Sequence, residues 1–245
     1  MRSIRWFVIL SLLCIVSLSA KTPSPAQWNL YPSYGRALCR LSPSLKHAFF
    51  FKAAMNRKVV ALTFDDGPLK RTPALLRFLR QRRVPATFFL LAPQINRHNA
   101  HLYDDPLFTV GLHSYHHINY RKASRKKTRR ELDRALKHMR RYGLDPYYFR
   151  PPYGMVSRTL QRELHARNLQ GVLWSLDTQD WNGRRGARFR RSVLRSLSPG
   201  SVLLMHDQSV SLRDLGRLID GIYAKGYTIV PLRELVRLGS RYPCE

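Results

Sequence analysis

Acidic side chains are the scarcest class in this sequence relative to their counterparts: 15 Asp and Glu stand against 43 Lys and Arg, a formal net charge of +28 over 245 residues. That imbalance makes polyanions the natural partners and leaves nucleic acid, an anionic membrane surface and an anionic cell envelope open. Glycine (13) and proline (15) are too few for a fibrous or low-complexity chain. The hydrophobic fraction of 44% and aromatic fraction of 11% exclude a solvated, disordered one. A chain of this length can bury a sizeable core.

Cysteine is also scarce, with three residues at positions 14, 39 and 244. Arg2 and Arg5 precede an apolar run over residues 6–16, and Ser17, Ser19 and Ala20 follow. That order of charge, apolar run and small residues predicts a signal peptide over residues 1–20 and export to the periplasm, envelope or exterior. Leu18 extends the run toward the about 20 residues of a bilayer span, so an uncleaved N-terminal anchor is the alternative. Leu13 before Cys14 argues against a lipoprotein. Loss of the signal leaves Cys39 and Cys244, an even pair in an oxidising compartment, and a bridge between them is expected.

Residues 21–57 contain Pro23, Pro25, Pro32 and Pro43 with scattered aromatics and read as an irregular N-terminal extension. From Val59 onward, short apolar or β-branched runs predict strands at 59–64, 86–91, 108–112, 147–150, 171–176, 201–205 and 228–230. Helical segments alternate with them: one opened by Thr72 as N-cap and Pro73, one capped by Ser157, and one lined by Leu215, Leu218, Ile219 and Ile222. This alternation predicts an α/β fold with a mainly parallel sheet, a barrel or a doubly wound sheet, in one domain over residues 58–240.

The most basic stretch, residues 121–141, holds eleven Lys or Arg, and its Leu132, Ala135, Leu136 and Met139 fall at i, i+3, i+4 and i+7. Such a helix can bury one stripe and leave its charges in water. A second cluster, Arg184, Arg185, Arg188, Arg190 and Arg191, opens a later helix. Neither is interleaved with the aromatics of a single-strand groove, so no specific nucleic-acid recognition is expected, and no obligate protein partner is implied.

Polar residues of catalytic type recur at the C-terminal ends of the predicted strands: Asp65 and Asp66, His113 and His117, Arg150 and Tyr153, Asp177 and Asp180, His206 and Asp207. In parallel α/β folds that edge carries the active site. Asp65-Asp66 before Gly67-Pro68 could be simple turn chemistry, but two adjacent carboxylates repel, and a metal on one would relieve the cost while leaving the other as a base. His113 and His117, four apart, point the same way if they sit on a helical turn, as ligation needs. His116 offers a competing i, i+3 pair with His113. An aspartate with two histidines makes a three-ligand site with open positions.

Taken together, Thr63-Phe-Asp-Asp-Gly-Pro68, His113-Ser-Tyr-His-His117, Arg150-Pro-Pro-Tyr153, Asp177-Thr-Gln-Asp180-Trp181 and Leu203-Leu-Met-His206-Asp207 resemble the five ordered motifs of the polysaccharide deacetylases, the NodB-homology or carbohydrate esterase family 4. The resemblance covers roughly residues 57–238. It implies a distorted, incomplete (β/α) barrel that removes acetyl groups from N-acetylated sugars with a divalent metal. By the same resemblance Asp66, His113 and His117 are the metal ligands, Asp65 the general base and His206 the general acid. Arg150 orients Asp65, the Tyr153 backbone N–H contributes to the oxyanion hole, and Trp181 with Leu204 walls the acetyl pocket. Asp180 is the expected partner of His206, with Asp177 the alternative.

One carboxylate with two neutral imidazoles suits Zn2+ foremost, with Co2+, Mn2+, Ni2+ or Fe2+ also possible, and no organic cofactor is required. Between Leu91 and Phe108 the chain departs from the family pattern: Pro93, Asn96, Asn99 and Pro106 replace a regular helix. The expected substrate is an amino-sugar polymer, peptidoglycan ahead of chitin-type or poly-N-acetylglucosamine glycans. O-deacetylation or deformylation of another glycan is the alternative within the fold, and a noncatalytic basic envelope-binding module is the alternative outside it.

Overall fold

The computed structural model describes residues 40–239. The signal segment, Cys39 and Cys244, and with them the expected bridge, lie outside the described residues. Helix α1 (Pro43–His47) leads into β1 (Phe49–Phe50), β2 (Val59–Gly67), α2 (Thr72–Gln81), β3 (Ala86–Leu90) and β4 (Phe108–Leu112). The second half contains α3 (Arg125–Arg141), β5 (Tyr148–Phe149), α4 (Arg158–His165), β6 (Gln170–Val172) and β7 (Leu176–Asp177), followed by α5 (Gly186–Ser196), β8 (Val202–His206), α6 (Leu212–Ala224), β9 (Thr228–Ile229) and α7 (Leu232–Val236).

The strands pair in the order β1-β6-β5-β4-β3-β2-β8-β7, all parallel, with β9 added to the start of β2. β2 and β3 are buried on both faces apart from Asp66, which is why they read as continuous apolar runs rather than alternating ones. Phe64 stacks on Phe88 at 5.4 Å between centroids, and Phe88 meets Phe108 edge-on at 5.4 Å. The sheet curls into an incomplete barrel with helices around it. Among the described residues no helix is long and apolar enough to cross a membrane.

Three expectations change. The run at 171–176 is not one strand: β6 pairs with β5 and β1 at one side of the sheet, while β7 pairs with β8 at the other. Between them the Leu173 N–H donates to Phe50 O (2.7 Å) and the Ser175 N–H to Val202 O (3.1 Å), so this segment crosses from edge to edge and draws the sheet closed. The stretch before residue 58 is not wholly irregular, because β1 joins the sheet through Phe49 and Phe50. Gly171 is required for that docking: a Cβ there would lie 2.2 Å from the Phe49 ring. Thr72 is the first residue of α2 rather than its cap. Its hydroxyl accepts the Leu69 N–H at 2.6 Å and donates to the Asp207 carboxylate.

Ser157 caps α4 as expected, accepting the Leu160 N–H at 3.1 Å, and α3 buries Leu132, Ala135, Leu136 and Met139. The departure between Leu91 and Phe108 folds as two single 3-10 turns, Ala92–Gln94 and Ala100–Tyr103.

Candidate active site

Strand alternation should send Asp65 and Asp66 to opposite faces. A register shift between Asp65 and Gly67 against β3, with Asp66 in the left-handed region at φ 70°, turns both toward one cavity. β2 lies centrally in the sheet, and Asp65 is the register partner of His206 on β8. His113 follows β4 and Arg150 follows β5, so parallel pairing brings residues far apart in sequence to the same rim.

His113 Nε2 lies 3.6 Å and His117 Nε2 3.4 Å from Asp66 Oδ1, and these three residues form the cluster able to hold a metal among the described residues. Ligand bonds of about 2.1 Å in a tetrahedral site place ligand atoms about 3.4 Å apart. Asp66 Oδ1 is buried with no hydrogen-bond partner, an arrangement a cation would satisfy. The His113 Nδ1–H donates to the Arg150 carbonyl at 2.8 Å, which turns Nε2 inward as a free acceptor. Burial pushes the His113 pKa down to about 3 against the opposing pull of Asp66, so its imidazole is neutral and able to ligate. The donor set fits a divalent metal.

The two histidines do not converge on a helical turn. Residues 113–117 form an irregular loop with Ser114 at φ 111° and His117 at φ 50°. His116 points elsewhere: the buried Glu131 of α3 receives its backbone N–H at 3.0 Å and its Nδ1 at 2.6 Å. The competing His113–His116 pair is therefore not assembled.

Asp65 is buried, with Oδ1 2.8 Å from Arg150 Nη1. The wholly buried guanidinium also donates to Thr63 Oγ1 (2.7 Å) and Leu173 O (2.9 Å) and lies 4.1 Å from the centre of the Phe89 ring. Burial raises the Asp65 pKa, with Arg150 and His206 limiting the rise. On the other side His206 Nδ1 meets Asp180 Oδ1 at 3.0 Å, and the His206 N–H donates to Asp180 Oδ2 at 2.7 Å. Burial pulls the His206 pKa down, but Asp180, Asp65 and Asp66 outweigh it and hold the pKa at about 9. Asp177 takes different partners, the Gln179 N–H at 2.8 Å and Trp181 Nε1 at 3.2 Å.

Asp65, Asp66, His113, His117, Tyr153, Asp177, Trp181, Leu204 and His206 all line one cavity of about 750 Å³. Arg150 and Asp180 stand behind it. Tyr153, with φ 60°, and Trp181 are half exposed at the mouth, and Tyr153 Oη contacts His117 Nδ1 at 3.1 Å. Among the described residues left-handed backbone outside glycine occurs at seven positions, of which Asp66, Ser114, His117, Tyr153 and Gln179 belong to or adjoin the site. Such conformations cost of order 1–3 kcal/mol each and persist where surrounding structure fixes them.

Arg121, Met155, Trp174, Gln208 and Ser209 also line the cavity without having been singled out for it. Arg121 is hidden within the basic stretch and Trp174 within an apparent strand, and no local signal marks either. Asp207 does not face the cavity: its carboxylate packs behind Gly67, where a Cβ would lie 2.6 Å from Oδ2.

The polysaccharide deacetylase family model matches residues 52–172. A peptidoglycan-N-acetylglucosamine deacetylase of Bacillus cereus is 34% identical over 200 residues, covering 76% of this chain and 71% of the relative. A peptidoglycan N-acetylglucosamine deacetylase solved with 4-naphthalen-1-yl-N-oxidanyl-benzamide superposes with TM-score 0.71 at 32% identity, covering 80% of this chain and 96% of that one. A carbohydrate esterase family 4 pseudoenzyme from Bacillus anthracis gives TM-score 0.73 at 26% identity, covering 82% of this chain and 72% of that one. The chain belongs to the polysaccharide deacetylase family. By class it is a polysaccharide deacetylase, a hydrolase.

Proposed function

We propose that this protein is a metal-dependent N-deacetylase of amino-sugar polymers, with peptidoglycan its foremost substrate. The carrying observation is the partnerless Asp66 Oδ1 facing His113 and His117, with Asp65 and His206 in the same cavity. Asp66, His113 and His117 would hold the ion, zinc foremost. When bound, it supplies a Lewis acid that polarises the acetamide carbonyl and lowers the pKa of water.

The chain's own groups divide the proton work. Asp65, kept ionised by Arg150, accepts the proton of the attacking water at its carboxylate. Burial makes it a stronger base than a free aspartate. The Tyr153 backbone N–H would donate to the developing oxyanion. His206, kept protonated by Asp180, delivers its proton to the departing amine, a poor leaving group otherwise. Trp181 and Leu204 wall the acetyl methyl.

The named relatives support peptidoglycan ahead of chitin-type or poly-N-acetylglucosamine glycans. The order of residues 1–20 supports export. The pseudoenzyme with the same fold favours a second reading, a noncatalytic binding module, and makes the assay decisive. Purified protein is incubated with N-acetylated peptidoglycan, chitooligosaccharides and O-acetylated xylan while released acetate, free amines and bound metal are measured. Amine release from peptidoglycan with stoichiometric metal is expected. Acetate without amine would shift the reaction to O-deacetylation, and metal-free, inactive protein would establish the module.

A further inference from the structure

The eleven cations of residues 121–141 are not equivalent. Arg125 and Arg129 are drawn to Glu163 (2.9 and 3.8 Å), and Arg140 to Asp145 (2.8 Å). The one acid on the outer face, Asp133, is held by Arg167 at 2.7 Å. Lys126, Arg130, Arg134 and Lys137 have no carboxylate within ion-pair distance among the described residues, and all four are exposed. They sit at i, i+4, i+8 and i+11, one stripe opposite the buried Leu132, Ala135, Leu136 and Met139. At 1.5 Å per residue the stripe spans about 16 Å, with charges repeating every 5–6 Å or so.

The stripe also leads toward the active site. The Arg134 guanidinium lies 4.1 Å from the centre of the Tyr115 ring, inside the loop that carries His113 and His117. Arg130 and Arg134 line a hollow of about 380 Å³ together with His116 of that loop. Among the described residues the exposed large apolar ones are Tyr147, Tyr153, Trp181, Tyr223 and Leu238, none of them on α3. The face thus offers neither rings on which bases stack nor apolar residues that enter a bilayer.

We propose that the stripe Lys126, Arg130, Arg134 and Lys137 is a docking track for a linear, base-free phosphate polymer, which holds the enzyme with its cavity beside the polymer. Charge on charge, salt-sensitive and without base readout, is what this surface can recognise.

The test uses inorganic polyphosphate as the probe and two triple variants of equal charge loss. One removes Lys126→Gln, Arg130→Gln and Lys137→Gln from the track; the other removes Arg188→Gln, Arg191→Gln and Arg195→Gln from α5. Thermal unfolding checks that both fold. At about 0.1 M salt the track variant should lose tenfold or more in affinity, and its log–log salt slope should fall by about 2 for three lost contacts. The α5 variant should lose less than about threefold. Equal losses in both triples would mean general charge attraction and overturn the track. Tighter binding of the native protein to a charge-matched oligonucleotide, or to phosphatidylglycerol vesicles, would replace the proposed partner with nucleic acid or membrane.

Discussion

Two halves of the site use one device with opposite signs. Asp65 and His206 are register partners on neighbouring strands, and each is backed by a wholly buried counter-charge, Arg150 behind the carboxylate and Asp180 behind the imidazole. On one side a buried cation limits how far burial can neutralise an acid. On the other a buried anion reverses what burial alone would do to a base, holding His206 at about 9. The comparison teaches that a site can keep a negative base and a positive acid side by side at neutral pH when each is paired from the protein side and open on the cavity side. The pairing is also asymmetric. Arg150 is tied to β2, to the carbonyl of Leu173 and to aromatic faces, whereas Asp180 chiefly serves His206.

The largest effect should come from what lies between the halves. His117→Ala should lose bound metal and abolish amine release, while His116→Ala keeps both; metal analysis of the two variants decides it. Next are the two halves themselves. Asp65→Asn and His206→Gln should each lower turnover by about 100- to 10,000-fold with metal content unchanged. A variant of either kind that loses its metal would break the division into ligands and proton-transfer groups.

The counter-charges should then part company. Arg150→Met leaves a buried carboxylate uncompensated and should cost about 3–5 kcal/mol of stability, read from denaturant unfolding. Asp180→Asn should act chiefly on the pH profile. With His206 as the proposed proton donor, turnover should fall as pH rises through its pKa, at or below about 9 because a bound cation would repel the imidazolium. Removing the Asp180 charge lowers that pKa and moves the alkaline limb to lower pH. An unmoved limb would show that Asp180 positions the ring without tuning it. The smallest effect is at the mouth: Trp181→Ala forfeits a stacking contact of about 0.5–1.5 kcal/mol, a rise in KM of about 2- to 10-fold with little change in kcat.

The parallel α/β class, the strand ends that carry Asp65, His113 and His206, and the buried stripe of α3 were all legible, because period and residue type are local properties. The loop of His113 and His117 was legible in its residues but not in its shape. The expected helical turn is overridden by Glu131, which binds His116 from another helix, and by left-handed backbone at Ser114 and His117. Asp180 was the expected neighbour of His206 with Asp177 the alternative, and the hydrogen bonds of the His206 ring and backbone N–H fall on Asp180.

The sequence by itself determined which groups this protein owns: an ordered series of carboxylates, imidazoles and one arginine at strand ends, in a chain of +28 charge. Only the tertiary structure decided how they meet. It broke residues 170–177 into two strands on opposite sides of the sheet. It buried Arg150 behind Asp65, and on α3 it bound Arg125, Arg129 and Arg140 to Glu163 or Asp145 while leaving the four track cations without such partners. The physical reason is that charge pairing and burial depend on distance through space, and residues as far apart as Asp65, Arg150 and His206 acquire their distances only when parallel pairing sets their strands in register.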